Sequence, residues 1–168
     1  MCVLQTNRLS LHQLSTQDAP FILELLNTPG WLAFIGDRGV KTLDDARTYI
    51  LNGPVTSYAQ HGFGLYLVEL TESRLPIGLC GLLKRETVED VDIGFAFLPP
   101  YTGQGYAYEA ASAMLTYART MLHLKRVVAI TAPGNQRSIS LLERLGMRYK
   151  ATITLAGNTE ESILYEIG

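Results

Sequence analysis

Three apolar stretches, residues 63–70, 77–83 and 91–98, follow one another with only short polar links between them. The links are residues 71–76 and 84–90, the second carrying Arg85, Glu86, Glu89 and Asp90. Links this brief close hairpins, because a parallel return needs a crossover of a dozen or more residues. The middle of the chain is therefore an antiparallel meander. In its last stretch Val91, Ile93, Phe95 and Phe97 alternate with Asp92, Gly94 and Ala96, the period of a strand. Pro99 and Pro100 then remove two backbone donors and stop it. Beyond them Ala111, Met114, Leu115, Ala118 and Leu122 recur at helical spacing and predict a helix over 106–122. Residues 126–131 are apolar on both faces, so this strand–helix–strand unit lays a buried parallel strand beside the meander.

The flanks are shorter elements. Residues 8–14 alternate Leu9, Leu11 and Gln13 with Ser10 and His12, as an edge strand does. Thr16 is read as the N-cap of a helix bearing Phe21, Ile22, Leu25 and Leu26, which stops near Asn27, Pro29 and Gly30. Residues 31–35 are a short helical piece, followed by a turn over 36–39. Thr42 caps another helix with Leu43, Ala46, Ile50 and Leu51 on one face, ending at Gly53-Pro54. Asn135 opens a helix with Ile139, Leu142 and Leu145 inward, stopped by Gly146. Residues 147–155 and 161–167 close the chain as a hairpin around Gly157 and Asn158. The expected class is α+β: residues 1–168 as a single domain, with a mostly antiparallel mixed sheet, one parallel pair and helices on both faces. A Rossmann domain would open with strand, glycine loop and helix, and this chain does not.

Gly103 and Gly105 sit where the long helix begins. Unpaired N–H groups and the positive dipole end converge there, and without Cβ atoms a phosphate can approach the backbone. A Walker loop is excluded, because Gly105 is followed by Tyr106 and Ala107 and not by Lys-Ser/Thr. On the residues alone, a tight turn that binds nothing is the competing reading. The net charge of −2 gives no basic footprint for nucleic acid or an anionic membrane, and no apolar run has the length of a span. Cys2 and Cys80 are too few for a disulfide framework, and the polar start of the chain shows no secretory signal. A cytoplasmic protein is expected, as monomer or homodimer. His12, His61 and His123 have no metal or triad spacing, so no metal site is expected.

With these elements in place, the sequence resembles the GNAT superfamily of acetyl-CoA-dependent N-acetyltransferases, in the branch of the ribosomal-protein alanine acetyltransferases. The likeness covers nearly the whole chain. It begins at Thr6-Asn-Arg-Leu-Ser-Leu11, where His12 stands in place of that branch's next arginine. It continues through Asp92-Ile-Gly-Phe95 and Tyr101-Thr-Gly-Gln-Gly-Tyr-Ala107 with Glu109-Ala110. It ends with Asn135-Gln-Arg-Ser138 and Leu142-Glu-Arg-Leu-Gly146. The loop consensus Gln/Arg-x-x-Gly-x-Gly/Ala falls on Thr102, Gly105 and Ala107, with Thr102 a departure that a main-chain cradle tolerates.

The resemblance implies that the amides of Gly103, Gln104, Gly105, Tyr106, Ala107 and Tyr108 hold the pyrophosphate of acetyl-CoA. It implies too that the main chain of Ala96, Phe97 and Leu98 pairs with the pantetheine arm, and that Asn135 and Ser138 reach the arm or acetyl group from the other side. Asp92 lies six residues before Leu98, ~20 Å away along a strand, about the length of that arm. It is the candidate base that takes the proton from the acceptor amine. Pairing with a neighbouring arginine or backbone amide is the structural alternative for it. The family's usual acid is a tyrosine at the position of Leu142, which leaves Ser138 as a candidate relay. The acceptors the resemblance implies are a peptide N-terminus, an amino acid, a polyamine or an aminoglycoside. A coenzyme A-binding regulator without turnover is the other class of function, kept open by Leu142. Trp31, Phe34, Arg38 and Tyr66 are candidates for the acceptor wall. Glu86, Glu89 and Asp90 could draw in a cationic acceptor or simply solvate their turn. Glu109 should point away from any pyrophosphate, and Cys80 in its apolar strand is not expected to act as a nucleophile.

Overall fold

The computed structural model describes residues 2–155 and 160–168. Eight strands form one sheet: β1 (Cys2–Gln5), β2 (Leu9–Gln13), β3 (Leu65–Leu70), β4 (Pro76–Leu83), β5 (Val91–Phe97), β6 (Val127–Thr131), β7 (Arg148–Thr154) and β8 (Glu161–Ile167). Their spatial order is β1-β2-β3-β4-β5-β6-β8-β7, and β5–β6 alone is parallel. The meander and the crossover strand are thus where the link lengths put them. The turn expected around Gly157 and Asn158 lies outside the described residues. Strand β1 was not anticipated: four residues are too few to show a period, and its pairing with β2 slips register between Cys2 and Leu4.

Helices α1 (Ala19–Leu25), α2 (Pro29–Phe34) and α3 (Leu43–Ile50) pack on one face of the sheet, and α5 (Tyr106–Thr120) on the other; α4 is Thr56–His61 and α6 is Gln136–Arg144. Strand alternation divides the core. Tyr66 and Val68 join Ala110, Ala111 and Met114 of α5, together with Leu142 of α6. Leu67 and Leu79 join Phe21, Ile22 and Leu25 of α1 and Trp31 of α2.

Two helix boundaries differ from expectation. Ser15, not Thr16, caps the first helical segment: its hydroxyl accepts from the Gln17 amide at 3.3 Å, while Asp18 accepts from the Ser15 amide at 2.9 Å. This box starts a single 3-10 turn (Thr16–Asp18) ahead of α1. Thr42 does cap α3, but Gly53-Pro54 does not end the helix. The chain passes through one π turn (Leu51–Val55) into α4 and stops at Gly62, whose φ is +78°. The wider turn accommodates a proline that lacks an amide and crowds the carbonyl four residues back.

The parallel pair shapes the site. Its register holds only at Val91↔Val127 and Asp92↔Val128. Past Asp92 the two strands part, so one edge of β5 is left without a strand partner from Ile93 onward. On its other edge β5 pairs with β4 without interruption, from Asp92↔Leu83 to Phe97↔Gly78.

Candidate active site

The parted strands open a cleft of about 400 Å³ at the point where they separate. Its floor is Asp92, Gly94 and Ala96 of β5, facing the same way by strand alternation. Opposite stand Ala129 to Thr131 of β6, with Asn135 just before α6 and Ser138 and Leu142 on it; Trp31, Phe34, Ile35, Arg38 and Tyr49 close the remaining side. Gly94 keeps the floor open, since a Cβ there would meet only Leu83 and Leu65 side chains, at 3.4 and 3.7 Å.

Asp92 is 2 % exposed. Its Oδ1 and Oδ2 accept from Arg85 Nε at 3.2 and 3.4 Å. Burial pushes its carboxyl above the ordinary carboxylate range, while the Arg85 guanidinium pulls the other way. The neighbouring arginine foreseen as the structural partner of Asp92 is therefore present, and the carboxylate still lines the cleft. Tyr49, on α3, is the tyrosine that reaches this cleft. Burial raises its phenol above the usual value, against the pull of Arg38 and Arg85. Leu142 fills its place in the lining with no hydroxyl and is 1 % exposed.

At the other end of β5 the chain makes the glycine loop. Gly103 and Gly105 have φ of +75° and +84°, a conformation that favours glycine, and Gly105 is the N-cap of α5 with no side chain to cap the helix. The first helical amide to find a carbonyl is that of Glu109, bonded to Gly105 at 3.0 Å. The amides of Tyr106, Ala107 and Tyr108 are those that a helix start leaves without a carbonyl. The loop is braced from within: the Thr102 hydroxyl donates to the Pro99 carbonyl at 2.8 Å and the Gln104 amide nitrogen to Pro100 at 2.6 Å.

It is also braced by Arg8, the residue immediately before β2. The guanidinium donates to the Gln104 carbonyl at 3.2 Å, lies 4.3 Å from the centre of the Tyr106 ring, and pairs with Glu109 at 2.7 Å. Glu109 accepts from the Arg8 amide and the Thr6 hydroxyl as well, and so is turned away from the loop's open side. Burial raises its carboxyl, but these hydrogen bonds outweigh it and hold the group below its ordinary value.

Of the residues proposed from sequence, Asp92, Ala96, Asn135 and Ser138 line the cleft, as do Trp31, Phe34 and Arg38. Phe97, Leu98 and the loop residues from Gly103 to Tyr108 stand outside its lining. Tyr66 does not reach it; strand alternation turns Tyr66 to the α5 side, stacked on Tyr58 with ring centroids 5.4 Å apart. Leu98 donates its amide to the Ile77 carbonyl at 2.9 Å, and in this unbroken antiparallel register the peptide groups facing the gap are those of Phe95 and Phe97. Asn135 caps α6, its Oδ1 accepting from the Ser138 amide at 3.3 Å. Glu86, Glu89 and Asp90 are not part of the wall. Cys80 is fully buried and its thiol is pushed up to about 12. Arg85 and Tyr49 were missed as site residues; a strand pattern or helix face says nothing about which charged or aromatic neighbour a fold will bring alongside.

Comparison with known proteins gives the same architecture. Residues 8–148 match the family model described as an acetyltransferase (GNAT) domain. The Bacillus subtilis protein YkkB is 29% identical over 153 residues, covering 89% of this chain and 87% of its own, and the Bacillus subtilis N-acetyltransferase YnaD is 27% identical over 145 residues, covering 86% and 82%. An acetyltransferase from Agrobacterium tumefaciens superposes with a TM-score of 0.83 at 24% identity, over 98% of this chain and 93% of that one. The ribosomal L7/L12 α-N-protein acetyltransferase RimL, solved with coenzyme A, superposes with a TM-score of 0.83 at 18% identity, over 99% and 97%. The chain belongs to the GNAT acetyltransferase family.

Proposed function

We propose that this protein moves an acetyl group from acetyl-CoA to a primary amine by direct attack, with both substrates bound together. The observation that carries the reading is the parting of β5 and β6 at Asp92, which leaves a cleft at one end of β5 and an uncapped helix start at the other. The amides of residues 103–108 would hold the pyrophosphate. The β5 edge facing the gap, through Phe97 and Phe95, would pair with the pantetheine arm as an added strand does. The fit of the free edge, the open Gly94 and the uncapped loop supports coenzyme A as the ligand, and RimL was solved with that molecule.

Asp92 would take the ammonium proton, directly or through water. Burial makes its carboxyl more basic than an ordinary carboxylate, and the Arg85 guanidinium beside it favours the ionised form that a base needs. Once free, the amine nitrogen attacks the thioester carbonyl, the C–S bond breaks to release the thiolate, and the remaining extra proton on nitrogen passes to water or to that thiolate, giving the neutral amide. A thiol is far more acidic than an alcohol (about 8.5 for cysteine), so this leaving group departs without a strong acid. Ser138, on the α6 wall, can relay a proton from water. Most of the rate gain would come from holding two reactants in line, with β5 amides polarising the carbonyl oxygen.

Leu142 favours a second reading, a coenzyme A-binding regulator without turnover. Release of free coenzyme A, followed against a panel of amines at fixed acetyl-CoA, separates the two. Amine-dependent release supports the enzyme; saturable acetyl-CoA binding with no release for any amine supports the regulator.

A further inference from the structure

The cleft wall is unevenly charged. Arg38, Lys84 and Arg85 line it, and Asp92 is its one carboxylate among the described residues, on a chain whose net charge is −2. Two of these cations are engaged. Arg85 holds Asp92, and Lys84 Nζ donates to the carbonyls of Arg85 and Val88 at 3.0 and 2.7 Å. Arg38 makes no ion pair or hydrogen bond among the described residues. The acid beside it is turned to other partners: Asp37 accepts from the Gly39 amide at 2.8 Å and pairs with Lys41 at 3.2 Å. The remaining wall on that side is mostly apolar, made by Trp31, Phe34 and Ile35, with Tyr49 beside them.

We propose that the acceptor carries a carboxylate beside its amine, that Arg38 binds this carboxylate, and that the substrate class is a free α-amino acid with an apolar side chain. The proposal rests on the reading of the cleft as the acceptor site. A zwitterion answers both of the unlike charges in this lining: the ammonium goes to Asp92, and the carboxylate goes to a planar guanidinium suited to two parallel hydrogen bonds. The side chain then lies on Trp31 and Phe34. A volume of about 400 Å³ leaves room for a molecule of this size beside the acetyl end of the thioester. A polyamine or an aminoglycoside would bring further positive charge against Arg38 with only Asp92 to answer it.

The test measures binding and transfer separately. Calorimetry on the protein, free and saturated with coenzyme A, compares L-leucine, L-leucinamide and spermidine; acetyl-transfer kinetics use the same three amines. Arg38 is exposed, so screening limits the preference, and leucine is expected to lead leucinamide by ~10-fold in Kd and in kcat/KM at low salt. Arg38→Gln brings the two within ~3-fold and Arg38→Lys keeps part of the gap, with an unchanged melting temperature showing that the fold is intact. Equal or tighter binding of leucinamide or spermidine overturns the proposal, as does an Arg38→Gln variant that retains the full preference or the absence of leucine binding. Leucine binding that depends on Arg38, with no coenzyme A released from any amine, upholds the carboxylate site and removes the acetyl-transfer reading. Faster transfer to spermidine does the reverse.

Discussion

Asp92 is a carboxyl taken out of water and faced with a single guanidinium. Because its folded pKa is raised above the unfolded value near 3.8, the protonated form is the one the fold favours. That contribution to stability is complete below the unfolded pKa and is lost as pH rises through the folded one. On the proposed mechanism activity runs the opposite way, since a base must be ionised. For the wild type, kcat/KM is expected to fall as pH drops through a value above the usual carboxylate range. Asp92→Asn should remove that limb and lower kcat by ~100-fold or more with little change in acetyl-CoA affinity. Arg85→Gln removes the group that opposes burial, so the limb should move to higher pH. A pH profile left unaltered by Asp92→Asn would take this residue out of the chemistry.

The start of α5 is the element proposed to hold the pyrophosphate through its backbone amides, which makes glycine substitutions informative. A Cβ at Gly105 would stand 3.3 Å from Arg8 Nη2 in a left-handed backbone, whereas a Cβ at Gly103, also left-handed, would meet nothing within 4 Å. Both substitutions should cost about 1–2 kcal/mol of stability from the left-handed strain. Gly105→Val should in addition weaken acetyl-CoA binding by ~10-fold or more, by displacing Arg8 and crowding the phosphate approach. Equal affinity in Gly105→Val and wild type would mean that the loop is only a turn. Gly81 is a different case. A Cβ there would lie 2.1 Å from the Gly64 carbonyl oxygen, so β3 and β4 must separate; Gly81→Ala is expected to lose about 3 kcal/mol in urea melts, without touching the site directly.

Across the molecule, a bound acetyl-CoA would span the glycine loop, the free edge of β5 and α6, three parts otherwise joined mainly through the sheet and the α5-side core. Ligand at about 100 times its Kd contributes about 2.7 kcal/mol to the native state, which for a chain of this size raises Tm by roughly 5–10 °C. Thermal melts should show this shift with acetyl-CoA and not with equal concentrations of ATP or NAD. A matching shift from ATP or NAD would mark the loop as a general phosphate cradle.

What the chain determined by itself is connectivity. Short links oblige hairpins, Pro99 and Pro100 stop β5, and Gly103 and Gly105 permit a left-handed entry to α5, all within a few residues of sequence. Gly53-Pro54 shows the limit of such local signals, because a π turn lets the helix continue past a residue that usually ends one. What only the tertiary structure decided is which side chains meet. The parting of β5 from β6 at Asp92, the pairing of Arg85 with that carboxylate, the approach of Tyr49 and Arg38, and the clasp of Arg8 on a loop nearly a hundred residues away depend on how separate elements pack. No periodicity along one element encodes the distance to another, and those distances give the cleft its charge.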